Sequence, residues 1–148
     1  YEVIKRPCIV EYAGLVLEDY AKIGYPGGLT QPMWDTLEAD NFVQEMGGHG
    51  RAVRARAYVG YCDGLTIQTF IGETKGKLVG TPSGTRPFYW DPVFAPRGGN
   101  GKTYAEICPD DRESSLLAKV KLSQSAKALR SFLEFRINAP RSELFPDR

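Results

Sequence analysis

The stretch Val53-Arg54-Ala55-Arg56-Ala57-Tyr58-Val59-Gly60-Tyr61-Cys62 alternates with a period of two. Val53, Ala55, Ala57, Val59 and Tyr61 fall on one face, and Arg54, Arg56 and Tyr58 on the other. That is the pattern of a half-buried strand. Asp63-Gly64 then signals a hairpin. Leu65 to Ile71 reads as the return strand, with Leu65, Ile67, Thr69 and Ile71 sharing a face. Gly72-Glu73-Thr74-Lys75-Gly76 reads as a further turn leading into Lys77-Leu78-Val79. Arg54 and Arg56 are read as a solvated strand face rather than as phosphate ligands.

Upstream, Pro7-Cys8-Ile9-Val10 is a short apolar run, read as a buried strand. Glu11-Tyr12-Ala13-Gly14-Leu15 follows at the strand end, where ligands gather in α/β folds. Gly24-Tyr25-Pro26-Gly27-Gly28 is a turn signal. Thr30 is expected to cap a helix with Pro32 in its first turn and an apolar side of Met33, Trp34 and Leu37. A second short helix is expected from Asp40 through Phe42, Val43 and Met46, ended by Gly47-Gly48. Downstream, Thr103 and Glu106 have capping-box spacing, so Glu106 is read as a cap rather than a ligand-binding acid. Pro109 to Lys121 reads as a polar, charged segment. Ser123 is expected to cap a final helix, Gln124 to Phe135. Ala126, Leu129, Leu133 and Arg136 share one spacing there, flanked by Leu122, Phe132 and Phe135. The tail from Asn138 to Arg148 is expected to be loosely held.

At 148 residues the chain is one domain with room for a core. A hydrophobic content of 42% and a charged content of 25% are ordinary for a globular protein. A net charge of +1 gives no argument for nucleic-acid or membrane binding. No apolar run approaches a membrane span, and no signal peptide is visible. Cys8, Cys62 and Cys108 are widely spaced, which argues against a disulfide framework and a zinc site. A reducing, cytoplasmic setting is the expectation. His49 as the single histidine, within Gly47-Gly48-His49-Gly50, argues against a histidine-based triad or metal site.

The candidate site lies between Gly80 and Glu106. Phe88-Tyr89-Trp90-Asp91 sets three aromatics beside one carboxylate, between Pro87 and Pro92. Proline fixes φ and restricts the residue before it, so the segment is expected to be stiff and extended. A stiff aromatic shelf with a carboxylate suits a flat ligand that stacks and donates N–H bonds, such as a purine. A core strand with buried aromatics is the plainer reading of the same residues.

Phe88-Tyr89-Trp90-Asp91-Pro92-Val93-Phe94 followed by Thr103-Tyr104-Ala105-Glu106 resembles the signature of the inosine triphosphate pyrophosphatase family. Glu11-Tyr12-Ala13-Gly14-Leu15, Gly24-Tyr25-Pro26-Gly27 and Gly72-Glu73 extend the resemblance from Pro7 to Phe135. It implies an α/β fold with an elongated mixed sheet flanked by helices, spanning residues 1–148 as a single domain. It also implies a homodimer, a purine nucleoside triphosphate such as ITP or XTP as substrate, Mg²⁺ as cofactor, and release of monophosphate and pyrophosphate. By the same resemblance Glu11 is the candidate Mg²⁺ ligand and, with Tyr12, marks the catalytic position. Phe88, Trp90, Asp91, Ser123, Gln124 and Lys127 fall on nucleotide-binding positions, and Lys119 or Lys121 stands near the phosphate-binding lysine.

The chain departs from the family pattern in places. Tyr89 stands for a glycine. Tyr12 stands for the essential aspartate, and a neutral phenol is a weak substitute as base or as ligand for a hard cation. Glu18 and Asp19, in a slightly longer loop, are the candidate substitutes. Ser123-Gln124-Ser125 stands for Ser-His-Arg, and a serine supplies no guanidinium. Gln31 or Pro32 stands for a basic residue. The family's opening phosphate-gripping segment has no counterpart here, and Tyr1 to Arg6 resembles the end of the helix after it. Two readings follow: a divergent, Mg²⁺-dependent pyrophosphatase, or a non-catalytic relative serving as an interaction or regulatory module.

Overall fold

A computed structural model describes residues 1–85 and 88–138. Pro87 and, of the expected loose tail, residues 139–148 lie outside the described residues, while Asn138 ends a helix. The segment 88–91 is not extended as expected: Tyr89 has φ 47° and Asp91 opens a 3₁₀ turn, so the chain folds back there. Four strands form one sheet in the order β1 (Cys8–Leu17), β2 (Ala52–Cys62), β3 (Ile67–Leu78), β4 (Phe94–Pro96). The α/β class and the elongated sheet stand. The expected mixed pairing does not appear among the described residues: all pairings are antiparallel, β2 turning into β3 through the short Asp63–Thr66 hairpin. Among the described residues no helix is long and apolar enough to cross a membrane.

The alternation in β2 sets the layers. Val53, Ala55, Ala57, Val59 and Tyr61 are buried. Against Val53 and Ala55 pack Leu15, Leu17 and Leu78 of the sheet, Phe42 and Val43 of α1 (Thr30–Glu45), and Met46 just beyond its end. Against Ala57 and Val59 packs Ala128 of α4 (Gln124–Asn138). α1 breaks at Glu38, where φ is 59°, so the two expected helices exist but run together across a kink. Thr30 does not cap α1. Its hydroxyl donates to the carbonyls of Leu15 and Gly27 and accepts the Leu15 N–H, which fastens α1 to the outer edge of β1. α2 (Tyr104–Ile107) opens with the expected capping box, Thr103 and Glu106 bonding reciprocally. Ser123 Oγ accepts the Ala126 N–H at the start of α4.

Several expectations need correction. The strand at Pro7–Val10 is longer and runs to Leu17, and its buried end is Leu15–Leu17, because α1 packs there while Ile9 and Val10 stay exposed. Glu11 and Tyr12 are therefore mid-strand rather than at its end. β3 does not turn at Gly72–Gly76. A Cβ on Gly72 would lie 2.0 Å from the Gln124 carbonyl oxygen, and one on Gly76 would lie 2.4 Å from that of Ala95. These glycines admit α4 and β4 to close approach. The inward residues of β3 are Phe70, Gly72, Thr74 and Leu78, while Ile67 and Ile71 face solvent. α4 is likewise rotated from expectation. Gln124 and Ala128 are buried, with Phe132 and Phe135 against Tyr61 and Phe70, while Leu129 and Leu133 are exposed. Only a small residue at position 128 fits over Gly72. Within the polar segment Pro109–Lys121, for which the sequence signalled no element, lies a helix, α3 (Glu113–Val120).

Candidate functional site

A cleft of about 450 Å³ opens between β1, the Phe88–Asp91 segment, α3 and the start of α4. It gathers Glu11 and Tyr12 with Phe88, Trp90, Asp91, Ser123 and Gln124, and adds Gln31, Tyr89, Lys119 and Ser125. Of the residues expected at the site, Lys127 lies elsewhere. Its ammonium donates to the Glu73 carbonyl and to Thr74 Oγ1, both at 2.8 Å, and burial lowers its pKa.

One wall is the aromatic shelf. Asp91 begins a 3₁₀ turn that Pro92 enforces, and the residue is 3% exposed. Lys119 reaches across from α3 and donates to Asp91 Oδ2. The same ammonium sits 5.1 Å from the ring centroids of both Phe88 and Tyr104, so cation–π attraction adds to the ion pair. Trp90 borders the cleft but is only 6% exposed, because its ring packs on Phe94 and Tyr104 within the main core. Its expected stacking role is corrected accordingly: Phe88, 48% exposed, is the ring of the shelf that a ligand can reach. Tyr89 has φ +47°, the left-handed region where a side chain is strained, and meets Phe88 edge-on at 4.8 Å. A glycine at this position, as in the resembling pattern, is free of that strain.

The floor is the start of α4. Gln124 is buried, and its Oε1 accepts a 3.0 Å bond from the Tyr104 hydroxyl. Burial pushes the Tyr104 phenol above its ordinary value, so Tyr104 acts as a donor. The opposite wall is β1. Glu11 accepts a 2.7 Å bond from Ser125 Oγ. The Tyr12 hydroxyl donates to the Gly28 carbonyl at 2.9 Å.

Glu18 and Asp19 do not join the site. Arg54 holds Glu18 in a two-point bond at 2.5 and 2.6 Å on the far face of the sheet, and these bonds lower the Glu18 pKa. Arg51 holds Asp19, and Glu73 bridges Arg54 and Arg56. The arginines thus form an ion-pair network instead of the solvated face expected of them.

Magnesium takes oxygen ligands, keeps several waters, and binds through one or two carboxylates plus substrate phosphates. Glu11 supplies such a carboxylate. Among the described residues no three of His, Cys, Asp and Glu come together as a metal cluster. Glu11 is the one carboxylate of the cleft's β1 wall, a donor set that would fit an ion shared with phosphates and not one caged by side chains. The sequence motifs marked most of the cleft; Lys119 was less visible, because α3 has no capping side chain and its Leu116, Leu117 and Val120 are exposed.

Residues 1–135 match the model of the Ham1 family. The dITP/XTP pyrophosphatase of Methanopyrus kandleri is 33% identical over 139 residues, covering 93% of this chain and 69% of that protein. The dITP/XTP pyrophosphatase of Saccharolobus solfataricus is 31% identical, covering 91% and 66%. The inosine triphosphate pyrophosphatase 2 of Trypanosoma cruzi is 30% identical, covering 87% and 62%. The chain thus spans about two thirds of the length of the curated relatives it matches. A HAM1 protein of Coxiella burnetii shares the fold, with a TM-score of 0.68 at 18% identity over 92% of this chain and 70% of that one. The chain belongs to the Ham1 family, the family of the dITP/XTP and inosine triphosphate pyrophosphatases.

Proposed function

We propose that the cleft binds purine nucleoside triphosphates of the ITP and XTP kind, and that the chain as given hydrolyses them slowly or not at all. The observation that carries the binding half is the shelf: Phe88 presents a ring beside Asp91, whose carboxylate is fixed by Lys119. Family membership and the names of the relatives support the same reading. Phe88 stacks on the base, and Asp91 and Gln124 offer hydrogen bonds to its edge. Stacking of this kind is worth about 1–3 kcal/mol per base. Glu11 would hold a Mg²⁺ carried on the triphosphate, an ion whose chemistry is to neutralise phosphate oxygens.

The second half rests on the β1 wall. Hydrolysis at the α-phosphate needs a base to activate water and cations to stabilise the departing pyrophosphate. Tyr12 gives its hydroxyl to Gly28, and Ser125 gives its own to Glu11, so neither supplies a base or a cation. Loss of a positioned general base removes about 10²–10⁴ in rate. The test is a pyrophosphate-release screen over ITP, XTP and the common nucleotides with Mg²⁺ and with Mn²⁺. Release near the no-enzyme background, with measurable ITP binding, is the expected result. Brisk Mg²⁺-dependent release would overturn the catalytic half, and no purine nucleotide binding would overturn the binding half.

A further inference from the structure

A second groove, of about 500 Å³, shares no residue with the cleft. It is lined by Lys75, Lys77, Arg97, Asn100 and Gly101 among others. The backbone N–H of Arg97 donates to the Lys75 carbonyl at 2.8 Å. This continues the register in which Gly76 faces Pro96 and Lys77 faces Ala95. Lys75 and Arg97 are therefore opposed across the strands, with Lys77 two residues along on the same face. Like charges directly opposite one another destabilise a sheet.

Among the described residues Glu18 feels the charge of Lys75, but its carboxylate is held by Arg54. No acidic residue lines the groove, and among the described residues none of these three cations is in an ion pair. Glu73, on the same face, is occupied by Arg54 and Arg56, and Glu18 by Arg54. The loop Arg97-Gly98-Gly99-Asn100-Gly101-Lys102 closes one side. Gly98, Asn100 and Gly101 have φ of +89°, +54° and +78°. Their N–H groups donate to no backbone carbonyl among the described residues. Backbone N–H groups gathered in turns of this kind form concavities that bind anions.

We propose that this groove is a second binding site, for a small phosphate-class anion, either inorganic pyrophosphate or the phosphate tail of a nucleotide. Lys75 and Lys77 are about 6.6 Å apart along the strand, which suits adjacent phosphates. A nucleic-acid backbone would call for a longer basic stripe, and the net charge of +1 argues against one. The site does not depend on what the cleft binds, since no residue is common to both.

The test is a titration of the full, ¹⁵N-labelled chain at low salt, following the amides of Gly98, Asn100 and Gly101. Inorganic pyrophosphate and ITP are the two arms, with sulfate at equal ionic strength as the control. We expect saturable shifts that weaken at least about tenfold in the Lys75→Gln/Lys77→Gln variant. Shifts with pyrophosphate alone assign the free anion, and shifts with ITP as well assign the phosphate tail. No shift in either arm, the same response to sulfate, or an unchanged response in the variant would overturn the proposal. In phosphate-free buffer the same variant should melt about 1–3 °C higher, because the cross-strand repulsion is gone. A lower melting temperature would contradict the strain on which the proposal stands.

Discussion

The two walls of the cleft are built differently. On the shelf side, Asp91 is buried and held by Lys119, which lies against Phe88 and Tyr104, and Trp90 is packed into the core. On the β1 side, Glu11 and Tyr12 are exposed, each held by a single good hydroxyl bond, from Ser125 and to Gly28. Departures from the resembling pattern divide by burial rather than by wall. They fall at Tyr12 of β1, Ser125 of α4 and the exposed Tyr89 of the shelf, while the buried Trp90, Asp91 and Phe94 keep it. Gln124 is the exception, being buried, and its amide is accommodated by the Tyr104 hydroxyl. Residues whose loss would leave a buried charge or a cavity are held by folding itself, whereas exposed hydroxyls can change at little cost in stability. A preserved shelf is therefore evidence for a preserved shape before it is evidence for preserved chemistry.

The contrast can be broken at its strongest point. Asp91→Ala strands the partly buried Lys119 ammonium and should cost about 3–5 kcal/mol in denaturant unfolding. A loss under 1 kcal/mol would mean that the shelf is no more constrained than β1. Next, Gly72→Ala pushes a methyl group into the Gln124 carbonyl and should destabilise by about 1–3 kcal/mol, moving α4 off the sheet. Gln124 and Ser125 would move with it, so the Tyr104–Gln124 and Glu11–Ser125 bonds should both be lost in a crystal structure of the variant. An unshifted α4 would show that the close approach is not what places the cleft floor.

Smaller effects sharpen the comparison. Tyr89→Gly relieves a left-handed tyrosine and should stabilise the fold by about 1 kcal/mol, less whatever the exposed edge contact with Phe88 contributes. A destabilisation would assign Tyr89 to the shelf's packing. Ser125→Ala removes one exposed hydroxyl bond and should cost about 0.5 kcal/mol, near the resolution of thermal melts. A loss as large as that of Asp91→Ala would erase the difference between the walls.

The sequence made the β2 layer legible, because strict alternation has one structural meaning. The capping box was legible for the same reason. Glycines were not: Gly72 and Gly76 read as a turn, although in the structure they let α4 and β4 reach the strand backbone. A glycine that bends the chain and one that admits a neighbour look alike in one dimension. The face of α4 was misread through the same hidden contact, since Leu129 and Leu133 look like better core residues than Ala128 until Gly72 is known to lie beneath it. In the site, motif residues reached the cleft because they sit on rigid elements. The stacking ring was assigned too broadly, since the core claimed Trp90 through Phe94 and Tyr104. Glu18 and Asp19 were placed by chain proximity to Glu11, but they pair with arginines of the far face and of the chain entering β2.

The central claim is that the shelf binds a purine base through Phe88. Calorimetric titration of ITP and of CTP, with Mg²⁺, into the parent chain and into Phe88→Ala tests it most directly. Phe88 is half exposed, so the substitution should leave the fold intact. The account predicts saturable binding that favours ITP over CTP and weakens in Phe88→Ala by roughly 5- to 150-fold, the equivalent of a stacking interaction of about 1–3 kcal/mol. Equal affinity for ITP and CTP, or an ITP affinity that Phe88→Ala leaves unchanged, would contradict it.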